Sequence, residues 1–262
     1  MLEIRLLGPV EVIGGQGRSD KLSAIPRRLF AVLVLRAGDG VRTEELVEEL
    51  WPQEPPPRVE NALHAHVSRL RRYLDAWEPE GPGRDRLAAR PGGYALAVAP
   101  DEVDVLRFKE LRRQAYEPSR GPAEAIASLE RGLRLWRGPA LLDAAEGPIC
   151  AASASVLMDL RLLAVTHLYE LRLGRGEHAA LIPDLQELAA AHPLEESLQD
   201  LLMLALYRSG RQSQALAVYD RLRHQLAERL GIVPGPGIQS RVQAILTQSS
   251  DLHDPDQCFV RR

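Results

Sequence analysis

The chain has 262 residues, a formal net charge of −3, 26% charged and 45% apolar residues, and two cysteines. This balance excludes a disordered chain and a generally basic nucleic-acid coat, so any contact with nucleic acid has to be local and oriented. Cys150 and Cys258 lie far apart and offer neither a disulfide framework nor a zinc spacing.

Leu2, Ile4 and Leu6 alternate with Glu3 and Arg5, Gly8-Pro9 turns the chain, and Val10 to Ile13 forms the next extended run. These segments predict a small antiparallel sheet, completed around Lys21-Leu22. A helix follows with Pro26 at its first helical position and Leu29, Val32, Leu33 and Arg36 at helical spacing, stopped by Gly38. A second helix is expected from an N-cap at Thr43, with Leu46, Val47 and Leu50 on its apolar side. Glu is missing from the capping-box position for that cap, because Leu46 occupies it. Trp51-Pro52 ends this helix, and the stiff QEPPP stretch leads on.

Arg58 to Leu74, RVENALHAHVSRLRRYL, reads as an amphipathic helix. Val59, Leu63, Val67, Leu70 and Leu74 fall within about 40° of one line. The opposite face carries Arg58, Asn61, His64, Ala65, Ser68, Arg69 and Arg72, with no carboxylate among them. Arg can bond guanine bidentately, Asn can do the same for adenine, and a small Ala permits close approach to a groove. A solvated basic face is the plainer reading of the same pattern. Its neighbours decide between the two. LAARPGGYALAV (87–98) predicts a β-hairpin with Arg90 near its tip. Sheet, helix, helix, loop, basic-faced helix and hairpin is the order of a winged helix-turn-helix preceded by a sheet. Trp51 and Tyr94 are expected to pack in its core.

From residue 100 onward every pattern is helical: 103–116, 122–138, roughly 152–173, 177–191, 195–208, 211–230, and one more after the Pro234–Gly237 turn. Leu202, Leu206, Gly210, Ala215 and Tyr219 follow tetratricopeptide-like spacing, without the tryptophan and terminal proline of that pattern. The fold class expected is mainly α. A winged helix-turn-helix with small antiparallel sheets fills residues 1–99, an all-α tetratricopeptide-like domain fills 100–248, and a disordered tail occupies 249–262. Nucleotide-binding, metalloprotease and hydrolase motifs are missing, and the histidines lack ligand spacing, so neither an enzyme nor a cofactor nor a metal is expected. Met1 opens on strand-like alternation, and Leu29 to Leu35, the longest apolar run, is too short for a bilayer. A cytoplasmic protein without membrane contact is expected.

Together these segments resemble the SARP family, the Streptomyces antibiotic regulatory proteins, which join an OmpR-type winged helix to a bacterial transcriptional activation domain. The matching stretches include LEIRLLGPVEV, ELVEELWPQEPPP, ENALHAHVSRLRRYL, RPGGYAL, LRLWRGPAL, LALYRSGRQSQAL and LGIVPGP. They cover residue 2 to about 247; AAEGPICAASASV (144–156) fits the pattern less well. The resemblance implies a transcription activator of an antibiotic or secondary-metabolite gene cluster. It would bind direct repeats in double-stranded promoter DNA, with a second protomer on the adjacent repeat, and recruit RNA polymerase holoenzyme. Arg58, Asn61, His64, Ser68, Arg69 and Arg72 form the expected base- and phosphate-contacting set. Lys21, Arg27, Arg71 and Arg90 are expected to position the backbone. The resemblance also makes Trp51, Gln53, Glu54, Pro55, Pro56 and Pro57 a candidate polymerase contact, against the plainer reading of a stiff connector. The rival functions are a helical-repeat scaffold for a protein partner and a ligand-gated repressor.

Overall fold

The computed structural model describes residues 2–14, 22–78 and 81–253. Contacts divide the chain into two units, residues 1–120 with 127–162, and residues 121–126 with 163–262. This division does not follow the 99/100 boundary expected from the sequence. The reason lies in how residues 100–150 are bonded to the N-terminal elements.

In the first unit, β1 (Glu3–Arg5) and β2 (Glu11–Ile13) pair antiparallel with Ile4 opposite Val12. Alternation sends Ile4 and Val12 inward, and Leu2 and Leu6 beside them are buried too. Lys21 lies outside the described residues, and Leu22 is buried but in no strand. Helix α1 (Ala24–Leu35) is apolar around most of its circumference, as a buried helix must be, and Leu29 to Leu33 are fully buried.

A short strand, β3 (Val41–Arg42), follows, and then α2 (Thr43–Leu50), α3 (Val59–Trp77), β4 (Leu87–Arg90) and β5 (Gly93–Leu96). The second sheet has the order β3-β5-β4 and is antiparallel throughout. Gly93 is required there, because a Cβ at this position would stand 2.1 Å from the Val41 carbonyl oxygen. β3 also moves the start of α2. Its N-cap is Arg42 rather than Thr43, so Glu45 becomes the third helical residue and its carboxylate accepts the Arg42 amide at 3.1 Å. α3 packs on α1 through the expected stripe: Leu63, Val67, Leu70 and Leu74 are buried.

Helices α4 (Asp104–Ala115), α5 (Pro122–Leu133) and α6 (Pro148–Gly174) come next, and α5 and α6 contribute residues to both units. Within the first unit three carboxylates tie these later residues to the N-terminal elements. Asp104 accepts the Leu6 amide at 2.8 Å and the Leu7 amide at 2.9 Å, although its burial pushes its carboxyl pKa up. Asp143 accepts the Val10 amide at 2.8 Å, while Leu141 donates its amide to the Leu6 carbonyl at 2.9 Å. Glu49, at the end of α2 and fully buried, accepts the Ile149 amide at 2.6 Å and the Cys150 amide at 3.1 Å. These are unsatisfied donors of the first turn of α6, where a negative charge is favoured. Buried Arg28 donates to the Glu49 and Leu50 carbonyls and pairs with Glu146.

The second unit holds α7 (His178–Ala191), α8 (Glu196–Arg208), α9 (Gln212–Leu230) and α10 (Pro236–Leu246). α8 packs against both α7 and α9, and α10 against α8 and α9. Gly210 takes a positive φ of 75° in the α8–α9 turn, and Ala215 is fully buried at its repeat position. Buried Arg241 of α10 forks onto Asp200 of α8 at 2.7 and 2.9 Å. The first residues of the expected tail are structured: Ser250–His253 forms a 3-10 turn, Leu252 is buried, and Arg208 donates to its carbonyl at 2.7 Å.

Leu70→Ala should destabilise the chain by about 2–5 kcal/mol, the usual range for a cavity left by a fully buried leucine. Glu49→Ala, which leaves two helix amides unpaired, should cost about 3 kcal/mol. Urea melts of the full chain check both, and an unchanged midpoint for Glu49→Ala would show that α6 does not depend on that cap.

Candidate nucleic-acid interface

α3 opens at Arg58, whose non-helical φ of −121° and ψ of 62° mark it as the N-cap. Burying the Leu63–Leu74 stripe fixes the rotation of the helix and so fixes what the other face presents. Asn61, His64, Ala65, Ser68, Arg69 and Arg72 are all exposed, and so is Arg58. Asn61 and Arg72 are three turns apart, about 16 Å along the axis, a length that fits within a major groove. Among the described residues no carboxylate stands within ion-pair distance of Arg58, Arg69, Arg72 or Arg90. Arg90 is exposed at the end of β4, where Pro91-Gly92 turns the chain and Gly92 has φ 74°. The recognition face and the wing tip therefore both carry uncommitted guanidinium groups.

Contacts from α2 and α3 hold the wing in place. Arg71, half-buried on the flank of α3, donates through Nε (3.1 Å) and Nη2 (3.0 Å) to the carbonyl of Leu87, the first residue of β4. At the other end of the wing the Thr43 amide donates to the Gly92 carbonyl at 2.8 Å. The His64 ring lies edge-on to Tyr94 of β5 with centroids 6.5 Å apart, and burial raises the Tyr94 pKa. The wing base is clamped as well. Arg86 bonds Glu102 at 2.7 Å and Glu78, the C-cap of α3, at 2.8 Å.

The structure separates the backbone-positioning set. Among the described residues Arg90 has no ion-pair partner, whereas Arg71 gives its Nε and Nη2 to the Leu87 carbonyl. Arg27 is committed to Asp143 at 2.9 Å and the Leu22 carbonyl at 2.7 Å. Lys21 falls outside the described residues. Arg42 enters the site unforeseen. It is opposite Gly93 in the β3–β5 pairing, beside the wing turn, with its side chain 74% exposed and paired to Glu45. The only sequence signal for it was Gly40-Val41-Arg42, a two-residue strand too short to show a period.

The loop after α2 is anchored at one end. The Trp51 ring lies 5.9 Å from that of His66, whose pKa is lowered first by burial and then by the charge of Arg69. Gln53, Glu54, Pro55 and Pro57 are exposed, and Pro56 is half-buried. Among the described residues no group of three or more His, Cys, Asp or Glu could hold a metal ion.

Family comparison matches residues 17–96 to "Transcriptional regulatory protein, C terminal" and residues 103–246 to "Bacterial transcriptional activator domain". The transcriptional regulator RedD of Streptomyces coelicolor is 42% identical over 261 residues, spanning 97% of this chain and 73% of RedD. The regulatory protein DnrI of Streptomyces peucetius is 34% identical, over 94% of this chain and 92% of its own. The structure of Mycobacterium tuberculosis EmbR in complex with a low-affinity phosphopeptide superposes with a TM-score of 0.87 at 32% identity. That match covers 94% of this chain and 65% of the EmbR chain.

Arg71→Met should leave the Leu87 carbonyl without its donor and cost about 1–2 kcal/mol of stability. It should also release the wing from the helix, weakening binding to all duplexes alike. Thermal melts paired with gel shifts on two unrelated sequences check this. Loss on one sequence only would assign Arg71 to base reading.

Proposed function

The chain belongs to the SARP family of bacterial transcriptional regulators, and we propose that it activates a biosynthetic gene cluster by binding direct repeats in promoter DNA. The observation that carries this reading is the exposed, acid-free face of α3 set beside a wing whose tip cation is unpaired. In this reading α3 lies in the major groove. Asn61 and one or more of Arg58, Arg69 and Arg72 read base edges, while His64 and Ser68 bond bases or phosphates. Arg90 places its charge on phosphate or in the minor groove, and exposed Arg42 of β3, paired with Glu45, stands beside the wing turn as a second cation. Arg27 and Arg71 are assigned to holding the fold rather than to DNA, because each already bonds a carbonyl or carboxylate within the protein.

The division of labour assigns DNA reading to residues 1–99, which also hold one partner-binding stretch, and further partner binding to the helical residues 100–248. RNA polymerase holoenzyme is the proposed partner of the exposed Gln53–Pro57 stretch, with Trp51 as its anchor. A second protomer on the adjacent repeat would face the same way along the duplex. The site of action is the cytoplasm, where the DNA is. α6 is long and apolar enough to cross a bilayer by length and composition. Asp159 and Arg161 within it, and the Glu49 cap on its first turn, suit a helix of a soluble domain better. A scaffold without DNA binding is disfavoured by the same α3 face and by the transcriptional regulators to which the chain is similar.

Asn61→Ala or Arg72→Ala should lose about 1–3 kcal/mol on the specific site and relax preference at one base position. Arg90→Ala should weaken all sequences equally and reduce the salt slope by about one. Quantitative gel shifts at several salt concentrations read both. Equal losses on operator and random DNA for Asn61→Ala would remove α3 as the reader.

Substitutions at Glu54 and Pro57 should lower transcription by purified polymerase holoenzyme several-fold while leaving the gel shift intact. They belong in the full chain. A chain cut at residue 100 would strip partners from the Leu6 and Leu7 amides and from Glu49. Parallel loss of binding and transcription would make the loop part of the DNA site instead.

A further inference from the structure

A groove of about 520 Å³ lies within the first unit, between α4 and the end of α5. Its size falls inside the roughly 300–1,000 Å³ that small-molecule sites occupy. Half-buried Leu106, Leu111 and Leu135 make it apolar, and Arg107, Arg131 and Arg134 supply its cations. Arg131 and Arg134 are three residues apart on one continuous turn, since the Arg134 amide still donates to the Glu130 carbonyl at 3.1 Å. Their side chains are therefore neighbours, and like charges at this spacing repel. Among the described residues neither has a carboxylate within ion-pair distance. Glu110, an acid of the lining, is committed elsewhere. It is taken up by Arg113 and Gln114, at 2.8 Å each, which draws its carboxyl pKa down to about 2. Arg107 is only loosely paired, 3.9 Å from Glu3. Asp101 is the remaining acid of the lining.

Two guanidinium groups without an ion-pair partner among the described residues thus stand beside an apolar surface. The geometry points to a binding site here for an anionic, partly apolar small molecule, with its carboxylate or sulfonate on Arg131 and Arg134 and its hydrocarbon body on Leu106, Leu111 and Leu135. Charge-assisted bonds to the forked donors would orient such a ligand, and the leucines would hold it. None of its lining residues belongs to the α3 face or to the wing tip. It gives the helical region a chemical input that its repeat-like helices alone do not suggest.

The test uses the full chain and two dyes sharing one aromatic frame, anionic 8-anilino-1-naphthalenesulfonate and neutral N-phenyl-1-naphthylamine. Fluorescence titration should show one equivalent of the sulfonate dye bound, at least tenfold tighter than the neutral one. Arg131→Gln with Arg134→Gln should weaken the sulfonate dye at least tenfold and leave the neutral dye unchanged. Both positions are exposed, so the double variant should melt like the parent. Leu111→Glu, a separate variant, should weaken both dyes. An unchanged sulfonate titration in the double variant would overturn the proposal, as would equal affinity for the two dyes or binding that does not saturate near one equivalent. If the double variant instead loses only affinity for duplex DNA, the arginines serve phosphates and the groove is not a ligand site.

Discussion

A carboxylate with no solvent around it governs this architecture. Glu49 belongs to α2 by sequence, yet its two oxygens are spent on the first turn of α6, about a hundred residues later. Burying such a charge is costly unless every lone pair finds a donor, and here the donors are main-chain amides that no intrahelical acceptor can reach. Each group solves the other's problem. Gly147 keeps the approach open, since a Cβ there would stand 2.4 Å from the Glu49 backbone oxygen. The same logic recurs at Asp104, which satisfies Leu6 and Leu7, and at Glu102, which helps hold the wing base through Arg86. Elements distant in sequence are joined by acids on amides and guanidinium groups rather than by apolar packing alone, which is why contacts group residues 100–120 with the winged helix.

Arginine bookkeeping separates structure from recognition. Arg27, Arg28, Arg71, Arg86 and Arg241 bond carbonyls or carboxylates within the protein, whereas among the described residues Arg58, Arg69, Arg72 and Arg90 have no such partner. A chain with a net charge of −3 can thus present a locally cationic surface, because its acids sit on other faces or inside. The contrast between neighbours on α3 is sharpest. Arg71 and Arg72 are adjacent, but about 100° of helical rotation sends one onto the wing and the other into solvent.

What the sequence disclosed follows from periodicity. The α3 stripe was legible because Leu63, Val67, Leu70 and Leu74 repeat over several turns, and the wing because Pro91-Gly92 interrupts two short runs. The exposed α3 face followed once the stripe was placed. Elements below the length of a period were not legible. Val41–Arg42 forms a strand only because β5 lies beside it, and that pairing moved the cap of α2 to Arg42. Nor could charge pattern say which arginines were already bonded: Arg27 and Arg71 looked like surface cations, and their partners, Asp143 and the Leu87 carbonyl, are set by the fold. Leu252 looked like part of a polar end, and its burial beside the carbonyl bonded by Arg208 could not be read from its neighbours.

The position of Cys150 carries one last consequence. A thiol in the first turn of a helix is ordinarily made acidic by the amides around it. Here Glu49 has claimed those amides, and burial together with the carboxylate's charge drives the thiol pKa upward instead. Burial keeps reagents from the sulfur while the α2–α6 junction is shut, and opening of the helix end would expose it. With Cys258 replaced by serine, alkylation of Cys150 would act as a clock, and its rate would report how often this internal joint opens in a molecule that remains otherwise folded.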